Sequence, residues 1–362
     1  MKQLRNFLLI TASALCIFAC SSCVSGQDES AYLDDFRIGV IETTGQENKT
    51  SISLYNESLD LVTSLDYKLG SMGSFFCLPQ KKDNKVYVVP EGISTLSDLT
   101  VVFCIDLTKG TTEEIDIGLR GATAFFVNDD YIFSSVSWNG ETSLSRTSLL
   151  DHKTDHTSLD SVFFVNQIYT YNNRLFLLCM TSTDSGSLGS RLIELDTESL
   201  ALINETDFSE FGVSFSNITH YKETLVFGSV HRWSDMLEVD DQRLVLYDLS
   251  TNSVATIDLA MKYPAQLALE KASLYILHAS LPTQESFGIS VFNLDTHRLV
   301  YYELSHEAFQ IIVKDNMLYS LGNTSLYTYD LSDDKLTFVS EAYVKQRTEK
   351  QPYYYVSSMF VN

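Results

Sequence analysis

A strand–turn–strand pattern that recurs along nearly the whole chain limits the folds open to it. In residues 243–259, RLVLYDLSTNSVATIDL, apolar and polar residues alternate on both sides of a short polar turn. Alternation with a two-residue period is typical of strands with one buried face, and Asp, Asn, Ser and Thr favour chain reversals. Six more copies of the pattern lie at residues 52–67, 101–117, 144–159, 192–207, 289–304 and 326–339.

The spacing of these copies predicts a β-propeller. From Asn56 in the first turn to Asp330 in the last, the turns are about 46 residues apart, which matches one four-stranded blade. Two strand-like runs precede each hairpin after the first; in the second unit they are Phe75–Leu78 and Val86–Val89, joined by a turn at residues 81–84. We therefore predict an all-β fold, a seven-bladed β-propeller of four-stranded antiparallel blades.

The two ends of the repeat region predict how the ring closes. The first hairpin has one strand-like run before it, Arg37–Thr43, and one alternating run, Tyr353–Phe360, is left over after the seventh hairpin. A C-terminal strand that completes the first blade would remove two open sheet edges, which otherwise promote aggregation. The alternative is that this run is a frayed tail.

The N-terminal residues predict export and lipid anchoring. Lys2 and Arg5 precede an apolar run at residues 7–19 that is short for a membrane span, as in a secretory signal. The run ends in Ile17-Phe18-Ala19-Cys20, which resembles the lipobox of bacterial lipoproteins. The resemblance implies a signal peptide at 1–19, lipidation of Cys20 and an extracytoplasmic protein held to the membrane, with a flexible tether at 20–35 and one propeller domain at 36–362. An ordinary secreted protein or a signal anchor is the alternative.

Charge and cysteine content limit the partners. The formal charge is −22, and loss of the basic leader makes the mature chain more negative still. Such a surface repels nucleic acid and anionic lipid headgroups, so we expect no nucleic-acid partner and a membrane contact through a lipid anchor on Cys20. We also expect a monomer. Outside the leader region Cys77, Cys104 and Cys179 remain, and the first two fall two strands apart, beyond bridging distance. We expect three buried thiols.

No catalytic motif stands out. Residues 151–156, DHKTDH, hold two imidazoles and two carboxylates, but their place in a hairpin turn favours a solvated surface over a metal site. The chain has no Gly-rich phosphate loop, nucleophile elbow or His-Glu-x-x-His run. We therefore expect no cofactor, no metal and no catalytic residues.

The turns containing Leu-Asp-Thr and Asp-Leu-Ser-Thr resemble the repeats of the WD40 and quinoprotein-like propeller superfamily. The closing tryptophans of quinoprotein repeats and the Gly-His and Trp-Asp pairs of WD40 blades are absent. The resemblance therefore implies architecture and carries no active residues.

One face of the predicted ring carries a candidate ligand site. Both tryptophans fall in loops between second and third strands, and these loops emerge on the same face as the blade-to-blade crossings. Exposed aromatic and Arg side chains are typical anchors for partners. The predicted ligand-binding residues are Arg120, Trp138, His231, Arg232, Trp233 and Tyr263.

These observations favour a membrane-anchored, extracytoplasmic binding or scaffold module whose ligand or partner, a protein or a glycan, is unspecified. Two alternatives remain open, a glycan-active lyase or hydrolase built on a propeller, and an accessory sensor subunit of a transporter or signalling system.

Overall fold

A computed structural model describes residues 36–45, 47–73, 77–90, 100–138, 140–160, 162–182, 187–234, 237–280, 283, 285–332, 335–344 and 353–362. The described chain forms seven antiparallel sheets that are arranged as the blades of a propeller. The predicted leader and tether, with Cys20, lie outside the described residues.

The first four blades follow one another along the chain, and the strands of each run from the centre of the ring outward. Blade one contains β29 (Tyr354–Val361), β1 (Ile38–Thr44), β2 (Thr50–Tyr55) and β3 (Leu61–Tyr67). Blade two contains β4 (Gln80–Lys82), β5 (Lys85–Val88), β6 (Val101–Asp106) and β7 (Thr111–Asp116). Blade three contains β8 (Ala124–Val127), β9 (Tyr131–Trp138), β10 (Glu141–Ser148) and β11 (Thr154–Ser158). Blade four contains β12 (Val162–Tyr171), β13 (Arg174–Ser182), β14 (Leu188–Asp196) and β15 (Leu202–Asp207).

The remaining three blades follow the same order. Blade five contains β16 (Ser214–Phe215), β17 (Thr219–Tyr221), β18 (Thr224–Ser234), β19 (Leu237–Asp248) and β20 (Ser253–Asp258). Blade six contains β21 (Pro264–Glu270), β22 (Ser273–Ser280), β23 (Glu285–Asn293) and β24 (Leu299–Tyr302). Blade seven contains β25 (Gln310–Lys314), β26 (Met317–Leu321), β27 (Ser325–Asp330) and β28 (Thr337–Tyr343).

The C-terminal strand closes the ring, as predicted. Strand β29 pairs antiparallel with β1, from Ile38 opposite Val361 to Thr44 opposite Tyr354. It thereby supplies the innermost strand of blade one and contacts β25 of blade seven and β4 of blade two. The seven-bladed β-propeller predicted from the repeat is confirmed.

The hairpin turns explain why the repeat is visible in the sequence. Asp248 ends β19, and its Oδ1 atom accepts hydrogen bonds from the amides of Ser250 and Thr251, both at 2.9 Å. These bonds, together with one from the Ser250 hydroxyl, lower the pKa of Asp248 to about 2. The turn then ends at Asn252, whose φ of 56° suits an Asn. Turns of the same kind begin at Asp106, Asp196, Asn293 and Asp330.

The core lies between adjacent blades. The cluster between blades four and five, for example, joins Phe176 and Leu178 of β13 to Phe227 of β18 and to Val245 and Tyr247 of β19. Each of these side chains is almost completely buried. A blade is therefore stabilised chiefly through the apolar faces that it shares with its two neighbours.

Side-chain amides on the innermost strands fasten one blade to the next. Gln310 of blade seven donates from Nε2 to the Met359 carbonyl at 2.9 Å and accepts from the Met359 amide at 2.7 Å. Such contacts satisfy backbone groups that would otherwise be buried without partners. Among the described residues, similar contacts join Gln80 to Phe125 and Val127, Asn217 to Leu267, and Gln266 to Ile311.

Two strand assignments differ from the prediction. The innermost strand of blade two is Gln80–Lys82, so Lys81 and Lys82 belong to a strand and not to the predicted turn; the predicted strand Phe75–Leu78 lies partly outside the described residues. Lysine is uncommon in strands, and the cross-blade contacts of Gln80 hold this segment in place instead. In blade five the first strand is split into β16 and β17. Cys77, Cys104 and Cys179 are buried thiols outside any disulfide, as predicted.

Candidate functional site

The hairpin of β18 and β19, which we call the long hairpin, dominates one face of the ring. This face, called the upper face, carries the turns between second and third strands and the crossings between blades. The two strands have 11 and 12 residues and remain paired out to Ser234 opposite Leu237. The outer part of the long hairpin carries three of the predicted site residues, His231, Arg232 and Trp233.

A buried ion pair fixes the base of the long hairpin. Asp241 is 5% exposed, and the guanidinium of Arg243 donates to its Oδ2 atom from Nη2 at 2.6 Å and from Nε at 2.9 Å. The hydroxyl of Ser229 donates to the same oxygen at 2.6 Å. Arg243 also donates to the carbonyls of Glu210 and Phe211 in the crossing from blade four. The hairpin base is therefore rigidly joined to the ring, because the buried carboxylate has its full set of donors.

The crossing from blade five to blade six packs against this base. A Cβ atom on Gly228 would lie 2.6 Å from the carbonyl oxygen of Pro264, so only glycine allows the crossing to approach β18 this closely. Tyr263, just before Pro264, has a φ of 54°, which is uncommon for an aromatic residue. Its amide donates to the Asp241 carbonyl at 2.9 Å, and its own carbonyl accepts from Ala279 at 3.0 Å.

This backbone position places the Tyr263 ring between two other rings. The ring centroid lies 5.8 Å from that of His231, in an edge-to-face arrangement, and 5.9 Å from that of Phe287, in a stacked one. The Tyr263 hydroxyl hydrogen-bonds to Asp240, and this bond, with burial, raises the pKa of Tyr263 to about 12. Tyr263 is therefore a neutral donor at physiological pH.

Charged groups surround these rings. Lys262 Nζ lies 2.9 Å from Asp240 Oδ2, and His231 Nδ1 lies 3.4 Å from Glu238 Oε1. The hydrogen bonds from Tyr263 and Lys262 lower the pKa of Asp240. The carboxylate of Asp240 is consequently ionised and bonded to Tyr263 and Lys262 of the crossing. These bonds join the outer part of the long hairpin to the segment that leads into blade six.

A buried imidazole supports the crossing from below. His278 of β22 is fully buried, with Nδ1 at 2.9 Å from the Lys262 carbonyl and Nε2 at 2.7 Å from Ser290 Oγ. Since a carbonyl only accepts, Nδ1 carries the proton and Nε2 accepts from the serine hydroxyl. Burial lowers the pKa of His278 to about 4, so the ring is neutral under ordinary conditions.

The predicted site residues do not form a single group. His231 and Tyr263 are in ring contact, and Trp233 lies two residues further along the same side of β18, half-buried and with its Nε1 atom buried without a hydrogen-bond partner. Arg232 is exposed on the opposite side of the strand. Trp138, 74% exposed, ends β9 in blade three, and the exposed Arg120 lies in the crossing that leads to that blade, so blade four separates both from the long hairpin.

Sequence reasoning missed several residues that shape this site. Asp240, Asp241, Arg243, His278 and Phe287 hold or extend the cluster, but no local pattern distinguishes them from the other charged and aromatic residues of the strands. A usable signal was the insertion of extra residues between β18 and β19, which marks this hairpin as longer than its counterparts. Among the described residues no group of three or more His, Cys, Asp or Glu side chains is placed to hold a metal ion.

Within the part of the chain that the structure describes, no helix is long and apolar enough to span a bilayer. No family model matches the sequence. No curated protein matches it either.

Solved structures of propeller proteins do resemble it. Hsv2 of Kluyveromyces lactis is similar with a TM-score of 0.52 and 10% identity, over 85% of this chain and 100% of that one. AztD of Citrobacter koseri, solved in its apo form, is similar with a TM-score of 0.50 and 11% identity, over 89% of this chain and 99% of that one. At such low identity the likeness concerns the fold alone, and with the sheet order described above it identifies the chain as a seven-bladed β-propeller.

Proposed function

We propose that this protein is an extracytoplasmic binding propeller, held to the membrane by a lipid on Cys20, that captures a macromolecular partner with the long hairpin. The observation that carries this proposal is the construction of the hairpin. Its outer part carries the half-buried Trp233 on one side and Arg232 and Leu237, the last 65% exposed, on the other, above a base that the Asp241–Arg243 ion pair holds in place.

Rigidity matters because binding must overcome the entropy lost when the interacting groups are ordered. The base of the hairpin and the Tyr263 crossing are already ordered by hydrogen bonds in the free protein. A partner therefore meets a prepared surface, and Trp and Arg are the residue types that most often contribute strongly to such interfaces. The partner grips both sides of the hairpin: the indole of Trp233 stacks on an apolar or ring group on one side, and Arg232 pairs with an acidic or hydroxylated group on the other.

The lipobox-like leader and the acidity of the chain support the location. A surface of strong negative charge stays clear of anionic lipid headgroups, so a lipid on Cys20 and a tether at residues 20–35 would hold the ring near the membrane with its faces accessible. Both a scaffold role and an accessory role beside a transporter are consistent with such a placement.

Site-specific photo-crosslinking in the cells that make the protein tests the proposal. A photoreactive phenylalanine analogue at Leu237 should give a discrete crosslinked product, whereas the same analogue at Leu202, which is 62% exposed on the outer strand of blade four, should not. Trp233→Ala should remove the product, since losing an anchor of this type costs about 2 kcal/mol, or roughly thirtyfold in affinity. Identical products from both positions, or a product indifferent to Trp233→Ala, would contradict the proposal.

A further inference from the structure

A cavity lies on the lower face, between blades two and three, away from the long hairpin. Its volume is about 220 Å³, equal to roughly seven water molecules in the liquid. The lining residues are Lys82, Asp83, Lys85, Tyr87, Glu113, Ile115, Leu149 and His152.

Strand alternation explains how these side chains meet. Lys85 and Tyr87 lie on the same side of β5, and Glu113 and Ile115 lie on the same side of β7. Tyr87 and Ile115 are buried and form an apolar floor, to which Leu149 of the β10–β11 turn adds. The charged groups stand around this floor. The cavity therefore combines a small apolar surface with a polar rim.

The lower contact between one blade and the next, which we call a joint, can be compared around the ring. At two other joints, a carboxylate in the turn between the third and fourth strands of one blade bonds to the preceding blade. Tyr131 of blade three donates to Glu198 in the turn of blade four at 2.8 Å. Tyr221 and Lys222 of blade five bind Asp295 in the turn of blade six at 2.9 and 2.8 Å. Glu198 and Asp295 both lie two residues after the residue that ends the third strand, Asp196 and Asn293 respectively.

The joint between blades two and three lacks this carboxylate. The third strand of blade three ends at Ser148, so the equivalent turn position is Leu150, which is 95% exposed. Lys85 begins β5 just as Tyr131 begins β9, and it therefore occupies the position from which Tyr131 reaches Glu198. Among the described residues, the Lys85 side chain has neither a hydrogen bond nor an ion pair. One cation at this joint is thus left without the acid that the two comparable joints have.

Each of the other charged groups around the cavity has a polar neighbour of its own. Lys82 Nζ lies 2.9 Å from Asp129 and donates to the Asn128 carbonyl at 2.7 Å. His152 Nε2 lies 3.7 Å from Glu113 Oε1. Asp83, at the rim, interacts electrostatically with Lys81. What the cavity lacks is one anion near Lys85 and one apolar group over Ile115 and Leu149.

We propose that this cavity binds a small carboxylic acid with an apolar body, whose carboxylate pairs with Lys85 in place of the missing turn carboxylate. The apolar body covers Ile115 and Leu149, and the volume suits a molecule of about the size of hexanoate, since it has room for roughly seven waters. A free acid and the C-terminal residue of a peptide share this chemistry.

Ligand-observed NMR and calorimetric titration of the mature protein test the proposal. Hexanoate should bind saturably, whereas hexanol and hexylamine should not. Lys85→Gln should weaken hexanoate binding about tenfold, the usual effect of losing one charge-assisted hydrogen bond. Lys68→Gln, which removes an exposed lysine of blade one, should leave binding unchanged.

A second variant supplies the missing acid within the chain. Leu150→Glu should place a carboxylate where Glu198 and Asp295 stand in their blades, compete for Lys85 and abolish hexanoate binding while the protein stays folded by circular dichroism. N-acetyl-leucine and its amide separate the two sources, since binding of the acid alone indicates that a peptide chain end also fits. No saturable binding of hexanoate, or binding that survives both Lys85→Gln and Leu150→Glu, overturns the proposal.

Discussion

His278 should make the stability of the propeller depend on pH, with a sign and a size that the structure sets. Its imidazole is buried and neutral, and its pKa falls from an ordinary 6.5 to about 4. Between these two values the unfolded chain binds a proton that the folded protein excludes. The stabilisation is therefore complete above about pH 6.5 and is lost as the pH falls toward 4.

The magnitude follows from the distance between the two pKa values. The fall from 6.5 to about 4 corresponds to about 3 kcal/mol in the free energy of unfolding, because a tenfold change in proton affinity is worth about 1.36 kcal/mol. Most of it, about 2 kcal/mol, should be lost between pH 7 and pH 4.5, where the unfolded state is almost fully protonated and the folded state only partly so.

Urea unfolding at a series of pH values from 7.5 to 4.5 measures this effect. Other groups also titrate in this range, so the relevant quantity is the difference between the wild type and His278→Gln. That variant should be less stable at pH 7, because it disturbs the bonds to Lys262 and Ser290, but its stability should fall less steeply with acid. His297→Gln, which removes an exposed imidazole of the same blade, should follow the wild-type curve. Parallel curves for the wild type and His278→Gln would refute the reasoning.

Three further predictions concern the anchor and the closure of the ring. Cys20→Ser should abolish incorporation of labelled fatty acid and release the protein from membranes, and an unmodified wild-type N-terminus by mass spectrometry would count against the lipid anchor. Deletion of residues 351–362 removes β29 and exposes the edge of β1, so we expect aggregation and a large fall in melting temperature, and an unchanged melting curve would show that closure is dispensable. Gln310→Leu should lower the free energy of unfolding by about 2–3 kcal/mol, because it leaves the buried Met359 amide and carbonyl without partners. Gln242→Leu, at an exposed glutamine, is the control for the substitution itself. Equal stability of the two variants would argue against the contact.

Local patterns were sufficient for the blades but not for every strand. The alternating hairpins and their Asp or Asn turns are set by interactions within a few residues, and so the sequence predicted the seven-bladed ring and its closing strand. Strand β4 was misplaced because Gln80 is held by the backbone of blade three, a contact that no short window contains. The split first strand of blade five was missed as well.

For the site, residue type and loop position were enough to select His231, Trp233 and Tyr263 as candidates, because long aromatic loops on a rigid ring are unusual in themselves. The sequence also determined the acidity and the repeat, both of which are properties of composition and short-range order. Only the tertiary structure decided which side chains meet. It brought Asp241 to Arg243 and Ser229, stacked Tyr263 against Phe287, and placed the His278 imidazole beneath Lys262. Such contacts depend on how neighbouring blades are twisted and packed together, and that arrangement is a property of the closed ring that no single segment encodes.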